Sequence, residues 1–408
     1  MTAVAADRIE SAAQAYSVAA QLATEFGQEA AARDRDRRLP VAEVDRLAAS
    51  GLLAISVPAA FGGADVPPSA VAEVVRLLAV ADPSIAQIPH SHFVYLNLLR
   101  LAGTADQQTR YFGRVLAGAR IANAQSERGG ATVADIATTV RPVGSRFRID
   151  GVKFYCTGSL FADLLAVLTR LDDPEERSGL PAGEYIAYLP ADTPGVRIVD
   201  DWNGIGQRTT GSGTVAFDEV IVEREQLIAR SAAVHAPTGY GAYAQLLHAA
   251  IDAGIARGAL TAATEFVRTS SRPWFESGVA RAIDDPLLIQ RFGELSVAVT
   301  AAEATLTAAG AAVDAAVDSD SATTPADLAA RASLAVAAAK VLADRAANEV
   351  SAALFEVGGT RSAAADLNLH HFWRNARTHT LHDPIRWKYQ HIGRAVLHDN
   401  PPPLHGVI

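Results

Sequence analysis

Cysteine is almost missing from this chain. Cys156 is the single one in 408 residues, which excludes an intramolecular disulfide and any cysteine-based metal cluster and makes a reducing cytoplasm the expected address. Blocks of like charge are missing too: the net charge of -9 is spread along the sequence with no basic block or basic-aromatic patch, so nucleic acid is not an expected partner. The N-terminal stretch carries Asp7, Arg8 and Glu10 where a secretory signal would have a basic start and an apolar run, so it is not expected to be one. No uncharged apolar run reaches the roughly 18 residues that a bilayer span needs, so no membrane association is expected. Also lacking are a GxGxxG that opens a helix after a strand, a GxxxxGK[ST] and a GxSxG. Without them the Rossmann, P-loop and α/β-hydrolase readings lose support.

What is present is an ordinary globular balance, 49% hydrophobic and 20% charged, in a chain long enough for two or three domains. Three compositional zones follow one another. Residues 1–118 read as helical: "VAEVDRLAASGLLAI" spaces Val41, Val44 and Leu47 at helical intervals with Gly51 as the stop, and "PSAVAEVVRLLAVADPS" forms a second run ended by Pro83. Residues 119–229 break into short runs such as "FRIDGVKFYCTGS", "LLAVLTRL", "EYIAYLP", "GVRIVDD" and "GTVAFDEVIV", which predict an antiparallel sheet. Residues 230–408 turn alanine-rich and helical again, as expected of a bundle that also serves oligomerisation. The "DSDSATTP" linker interrupts that bundle; Thr324 is placed to cap the next helix, with Pro325 at its first position. The fold class expected is α+β: helices, then a sheet, then helices.

Histidine is unevenly distributed. Five of the 11 lie between His370 and His391, around "RNARTHTLHDPIRWKYQHIG", and "IPHSHFVYL" adds His90 and His92. Imidazole donates or accepts a proton near neutral pH, which suits proton handling at a reacting centre. His379 and His382 are spaced to share a helix face as metal ligands, but no third ligand cluster and no HExxH accompanies them, so no metal is expected.

The order of zones and the segments that punctuate them resemble the acyl-CoA dehydrogenase superfamily along nearly the whole chain. The segments are "GLLAISVPAAFGG", "GTADQQTRYFGRVLAG", "NAQSERGGA", "GVKFYCTGSLFADLL", "WNGIGQRTTGSGTVAFDEVIV", "EVGGTRS" and "RNAR". Such a resemblance implies a flavin. Asn123, Gln125 and Ser126 would serve the polar edge of its ring, Tyr155 the face, Thr157 the N5 position, Arg272 the phosphate, and Gly358 and Gly359 the "GG" landmark. The family's catalytic glutamate position holds Asp383, preceded by His382 and followed by Pro384, and Phe355 replaces the glutamine that helps hold the adenylate of FAD. These departures are similar to the two-component flavin monooxygenase branch, and FMN is then expected in preference to FAD.

That branch implies reduced FMN delivered by a separate flavin reductase, reaction with O2 through a flavin C4a-hydroperoxide, and oxygenation of a small organosulfur substrate. In this reading His382, His92 and Thr157 flank the reacting position, with His90 the competitor of His92. The family also implies a homo-oligomer, expected to be a tetramer. Two rival readings are an FAD-dependent acyl-CoA dehydrogenase with Asp383 as base and a flavin-free binding member of the fold.

Overall fold

The computed structural model describes residues 6–317, 324–405 and 408. The first helical unit comprises α1 (Ala12–Gly27), α2 (Ala30–Asp36), α3 (Val41–Ala49), α4 (Pro68–Ala81), α5 (Pro83–Gln87), α6 (His90–Ala102) and α7 (Ala105–Leu116). Local chemistry explains their ends. Gly51 follows α3 in the left-handed region at φ 79, Asp82 caps α5 by accepting from the Ser84 and Ile85 N–H groups, and Thr104 with Gln107 forms a capping box on α7. Asp82 also receives the buried Arg33 guanidinium, which joins α2 to the α4–α5 corner and reaches Glu43 of α3.

The sheet comprises β1 (Ile121–Ala124), β2 (Thr139–Val143), β3 (Arg146–Lys153), β4 (Leu164–Leu171), β5 (Glu184–Pro190), β6 (Val196–Val199), β7 (Thr214–Val222) and β8 (Leu227–Ala229). Its order is β6-β7-β3-β2-β4-β5-β8, with β1 also on β4. The expectation of an antiparallel sheet needs one correction: β1 and β2 both run parallel to β4. The chain leaves β1 through a loop and returns on the same side of β4, a crossing that short hairpin spacing cannot reveal. β4 is buried at seven of eight positions, as a strand covered on both faces must be. The helical unit is keyed to the neighbouring β5 by two tyrosines, Tyr111 Oη donating to the Tyr188 carbonyl and Tyr188 Oη to the Tyr95 carbonyl.

The second helical unit comprises α8 (Ser231–His235), α9 (Tyr240–Thr269), α10 (Pro286–Val317), α11 (Pro325–Gly358), α12 (His371–His379) and α13 (Ile385–His398). Thr324 caps α11 through the Asp327 N–H, as its position predicts; residues 318–323 of the linker lie outside the described residues. α9 is buried on nearly every side and forms the axis of the molecule. Small residues set how closely its neighbours approach: a Cβ on Gly254 would stand 2.5 Å from Ala79 Cβ, and one on Gly258 2.4 Å from the Val80 carbonyl oxygen, both on α4.

Against the sequence expectation, α10 is long and apolar enough by composition to cross a bilayer. In the fold it packs on α4, α9 and α11, and its Glu303 is held by Arg76 and Arg257 while Asp314 accepts from Ser69. Carboxylates clamped by neighbouring helices mark it as a bundle helix.

Candidate active site

Two loops leave the C-terminal ends of β1 and β3 side by side, and a third, residues 202–213, lies against them. The Phe154 N–H donates to the Ser126 carbonyl at 2.9 Å, Cys156 N–H to Gly213 at 3.0 Å and Gly158 N–H to Thr210 at 3.0 Å. Asn123, Gln125, Ser126, Tyr155 and Thr157 are thereby gathered in one region. Beneath the first loop the fully buried Lys153 donates to the Gln125 carbonyl at 3.1 Å and pairs with Glu127 at 2.5 Å. Burial works against the Glu127 charge, but Lys153 and the Thr138 and Ala137 N–H groups outweigh it and hold this carboxyl below its ordinary range.

The side chains of this region present a flat, polar-edged receptor. Tyr155, 46% exposed, sits in the left-handed region at φ 58. That conformation costs on the order of 1–3 kcal/mol for a residue other than glycine. Its ring meets Trp202 edge-on at 6.1 Å, and Arg128 lies over it at 4.9 Å. Asn123 Oδ1 is buried without a hydrogen-bond partner, an unsatisfied acceptor of the kind a ligand completes. Gln125 Oε1 accepts from Tyr95 at 2.8 Å, which leaves its amide group as the donor. An isoalloxazine ring needs this set: an aromatic face, a hydroxyl and amides for its edge. Cys156, fully buried and pushed up to about 12 by that burial, is chemically quiet.

Beside this receptor four imidazoles form one network. Asp252 of α9, fully buried, accepts from Lys340 Nζ at 2.6 Å and from His379 Nδ1 at 2.6 Å. Burial opposes its charge, yet Lys340 and His379 bring Asp252 down to about 2. With its proton on Nδ1, His379 has a bare Nε2, so His248 Nδ1–H donates to it at 3.1 Å. His382 Nδ1–H donates to the His379 carbonyl at 2.7 Å, and Gln87 Nε2 donates to His382 Nε2 at 3.0 Å. His90 stacks on His248 with ring centroids 3.9 Å apart and gives its Nε2–H to the Ala244 carbonyl. Solvent still reaches His382. Desolvation first, then neighbouring imidazoles, brings His382 down to about 4, while His90 falls to about 3, with desolvation the largest cause, and His248 well below its usual value. At neutral pH these three rings are uncharged. The two regions touch: a Cβ on Gly158, next to Thr157, would stand 3.4 Å from the Ile88 carbonyl, and the residue before Ile88 is the Gln87 that holds His382.

His92 is placed differently from the expectation. Its Nε2–H donates to the Leu53 carbonyl at 2.8 Å and its Nδ1 accepts from the Ile121 N–H at 3.0 Å, so both nitrogens of a 1% exposed ring are occupied by backbone. Such a ring fastens α6 to the start of β1 and has no site left for a proton in transit. Of the two candidates in "HSH", it is His90 that joins the imidazole network. Asp383 is 5% exposed and accepts from Gln245 Nε2 at 2.8 Å, so its carboxylate belongs to the α9–α13 seam.

Arg272, Gly358 and Gly359 form a separate group. Arg272 follows the C-terminal end of α9, about 30 Å along that helix from His248 at 1.5 Å per residue. It is exposed and no hydrogen bond or ion pair holds it among the described residues. Ser271 Oγ next to it donates to the Gly358 carbonyl at 3.3 Å. Gly358 permits close contact with Ser362, and Gly359 ends α11 at φ 66. Within one protomer this group does not stand beside His382.

Sequence reasoning missed Gln87, Trp202, Ser212, His248, Asp252 and Lys340. A signal existed for two of them: His248 and Asp252 are four apart in an alanine-rich helix, a spacing that shares one face.

The chain matches the family models of acyl-CoA dehydrogenase for the N-terminal domain over residues 10–119, the middle domain over 122–220 and the C-terminal domain over 246–387. It is 32% identical to a dibenzothiophene monooxygenase of Rhodococcus qingshengii, over 95% of this chain and 94% of that protein. It is 34% identical to a probable FMNH2-dependent monooxygenase, SfnC, of Pseudomonas putida, over 95% and 96%. Among solved structures, FMN-bound TdsC of Paenibacillus sp. A11-2 superimposes with a TM-score of 0.89 at 31% identity, covering 97% of this chain and 100% of that one. The methanesulfinate monooxygenase MsuC of Pseudomonas fluorescens does so with a TM-score of 0.86 at 32% identity, covering 96% and 99%. With three domain models in order and relatives matched over at least 94% of their length, the chain belongs to the acyl-CoA dehydrogenase family.

Proposed function

We propose that this protein is a reduced-FMN-dependent monooxygenase that oxygenates a small organosulfur compound. The observation that carries this reading over a dehydrogenase is the exchange of roles at one step of the chain: the His382 imidazole faces Gln87 next to the flavin loops, while Asp383 is spent on Gln245. A dehydrogenase of α-protons needs a free carboxylate there, and a monooxygenase needs a neutral group that shuttles one proton. Relatives that carry FMN or use FMNH2 support the choice of cofactor.

Reduced FMN supplies the electrons that activate O2. The residues of the chain do the rest. Asn123, Gln125 and Ser126 would hold the ring's polar edge, Tyr155 and Trp202 its face, and Thr157 its N5. His382, its Nδ1 proton fixed on the His379 carbonyl, would receive or return a proton at Nε2 once the Gln87 side-chain amide that donates there rotates aside, a movement not open to the backbone partners of His92. His248 and His90 keep the neighbouring wall uncharged, so that His382 changes charge alone. His92 acts as a positioning residue that holds β1 in place.

A flavin reductase is the transient partner that this cofactor requires, and the cytoplasm is the compartment that suits it. The exposed apolar residues Leu287, Ile289 and Val297 on α10 and Val396 and Leu397 on α13 support a homo-oligomer, for which we propose a tetramer. In that assembly the Arg272–Gly358–Gly359 group of one copy serves the flavin phosphate of another.

The test is turnover of the purified protein with photoreduced FMN under isotopically labelled O2, across thioethers, sulfoxides, sulfinates and sulfones. Transfer of one labelled oxygen atom to a sulfur compound is expected. Bleaching of bound FAD by an acyl-CoA thioester, without oxygen transfer, would establish the dehydrogenase instead, and failure to bind FMN in either redox state at micromolar concentration the flavin-free reading.

A further inference from the structure

Thr157 ends a chain of buried hydroxyl groups whose direction is fixed. Thr157 Oγ1 and Ser212 Oγ are 2.7 Å apart, Ser212 Oγ and Thr210 Oγ1 2.6 Å, and Thr210 Oγ1 and the Gln207 carbonyl oxygen 2.9 Å. Each hydroxyl owns one proton, and the carbonyl can only accept. Thr210 therefore spends its proton on Gln207. Ser212, facing an oxygen without a proton to give, must donate to Thr210, and Thr157 must in turn donate to Ser212. The reverse arrangement would set two lone pairs against each other at 2.9 Å. All three hydroxyl residues are at most 7% exposed, so water does not scramble the order.

The anchor is itself rigid. Gln207 accepts from Trp202 Nε1 at 2.7 Å through the same carbonyl and from no position gains a proton to return, and its N–H donates to Asn375 Oδ1 at 2.7 Å. A Cβ on Gly206 would lie 1.9 Å from the Arg374 carbonyl, so this loop is docked tightly on α12.

We infer that the Thr210–Ser212–Thr157 chain makes Thr157 a hydrogen-bond acceptor toward bound flavin and so selects reduced FMN over oxidised FMN. The inference rests on Thr157 lying at flavin N5, as proposed above. Reduced flavin carries a hydrogen on N5 and donates to such an oxygen. Oxidised flavin offers a lone pair at N5 and meets another lone pair. A free threonine hydroxyl would rotate to suit either state, whereas this one is committed. Ser212 and Thr210 are positioning residues in this scheme, and they give the protein a preference for flavin that arrives already reduced.

Anaerobic titration with photoreduced FMN and parallel titration with oxidised FMN read the preference directly, without turnover. The wild-type chain is expected to bind reduced FMN at least tenfold more tightly. Ser212→Ala and Thr210→Val free the Thr157 hydroxyl to donate outward, and each is expected to shrink that ratio about tenfold, mainly by tightening oxidised FMN. A tenfold change in the ratio moves the two-electron midpoint potential of bound FMN by about 30 mV. Thr157→Ser, which keeps the hydroxyl, should retain the wild-type ratio, and Thr157→Val should weaken reduced FMN without strengthening oxidised FMN. A ratio that shifts in Thr157→Val but not in Ser212→Ala or Thr210→Val would overturn the fixed direction of the chain. Unchanged affinities for both states in Thr157→Val would instead remove Thr157 from N5 and with it the basis of the inference.

Discussion

Asp252 is the test of how the imidazole network is held. Asp252, Lys340 and His379 are all fully buried, and one carboxylate satisfies both an ammonium and an imidazole N–H. Asp252→Leu strands the ammonium, since Asp344 is 3.9 Å from Lys340 Nζ and is only a distant second partner. Breaking a buried pair from one side costs about 3–5 kcal/mol, and an unpaired buried donor at His379 adds about 1–3 kcal/mol. Lys340→Met leaves the buried carboxylate with the His379 Nδ1–H as its remaining partner, so that change should cost about 3 kcal/mol. In the double variant no charge is stranded. Only the His379 donor remains unpaired, and the loss should fall to about 1–3 kcal/mol. The second substitution is thus expected to rescue part of the first. Urea unfolding of the four proteins, followed by far-ultraviolet circular dichroism and tryptophan fluorescence, measures this cycle. Additive losses would refute the pairing, because they would mean that Asp252 and Lys340 stabilise the fold independently.

Three further outcomes follow from the same geometry. His382→Ala should leave reduced-FMN binding nearly intact while consumed O2 ends as hydrogen peroxide uncoupled from product; a coupling ratio equal to wild type would take His382 out of the proton path. Arg272→Ala should weaken FMN by about 1.5–3 kcal/mol, the range for a hydrogen bond to a charged group, and equal affinity would place the phosphate elsewhere. Stability should fall on acidification from about pH 6.5 to about pH 4: the folded state keeps His92 near 4, His382 near 4 and His90 near 3, with desolvation the largest cause for each, so the unfolded chain binds more protons throughout that window. For the fully enclosed His92 the displacement is worth about 3 kcal/mol. A His92→Asn variant with the wild-type pH slope would show that this ring is not among the groups titrating.

Much of this was legible because local rules act there without competition. Gly51, Thr324 and Pro325 stand where capping chemistry puts them, and the strand segments alternate or run apolar as burial requires. The loops expected to take a flavin were singled out through the family resemblance, and the structure gathers their residues in one region. What was not legible depends on tertiary neighbours. The parallel pairing of β1 and β2 with β4 follows from a crossover, and the roles of His90 and His92 hinge on which carbonyl lies opposite each ring. Lys340 reads as one cation in a run of alanines. Only the packing of α11 on α9 brings it to Asp252, 88 positions earlier.

The Asp383–Pro384 step shows how a small backbone change can redirect a site. Pro384 is extended at ψ 114 and α13 starts just after it, so Asp383 stands in the non-helical link between α12 and α13. Asp383 is turned into the seam, where Gln245 donates to it and Lys388 donates to Gln245 at 2.9 Å. Burial brings the Lys388 ammonium down to about 8 although Asp383 opposes the fall, which marks this seam as a charged contact enclosed by protein. His382, one residue earlier, remains with Gln87 on the opposite side, beside the loop of Thr157. Asp383 is engaged by Gln245 in the seam, whereas the Nε2 of His382 meets only the Gln87 side-chain amide. In the function proposed above, a structural acid and a proton-carrying base stand at two consecutive residues just before the proline, and a change from carbon acid chemistry to oxygen chemistry needs no change of fold.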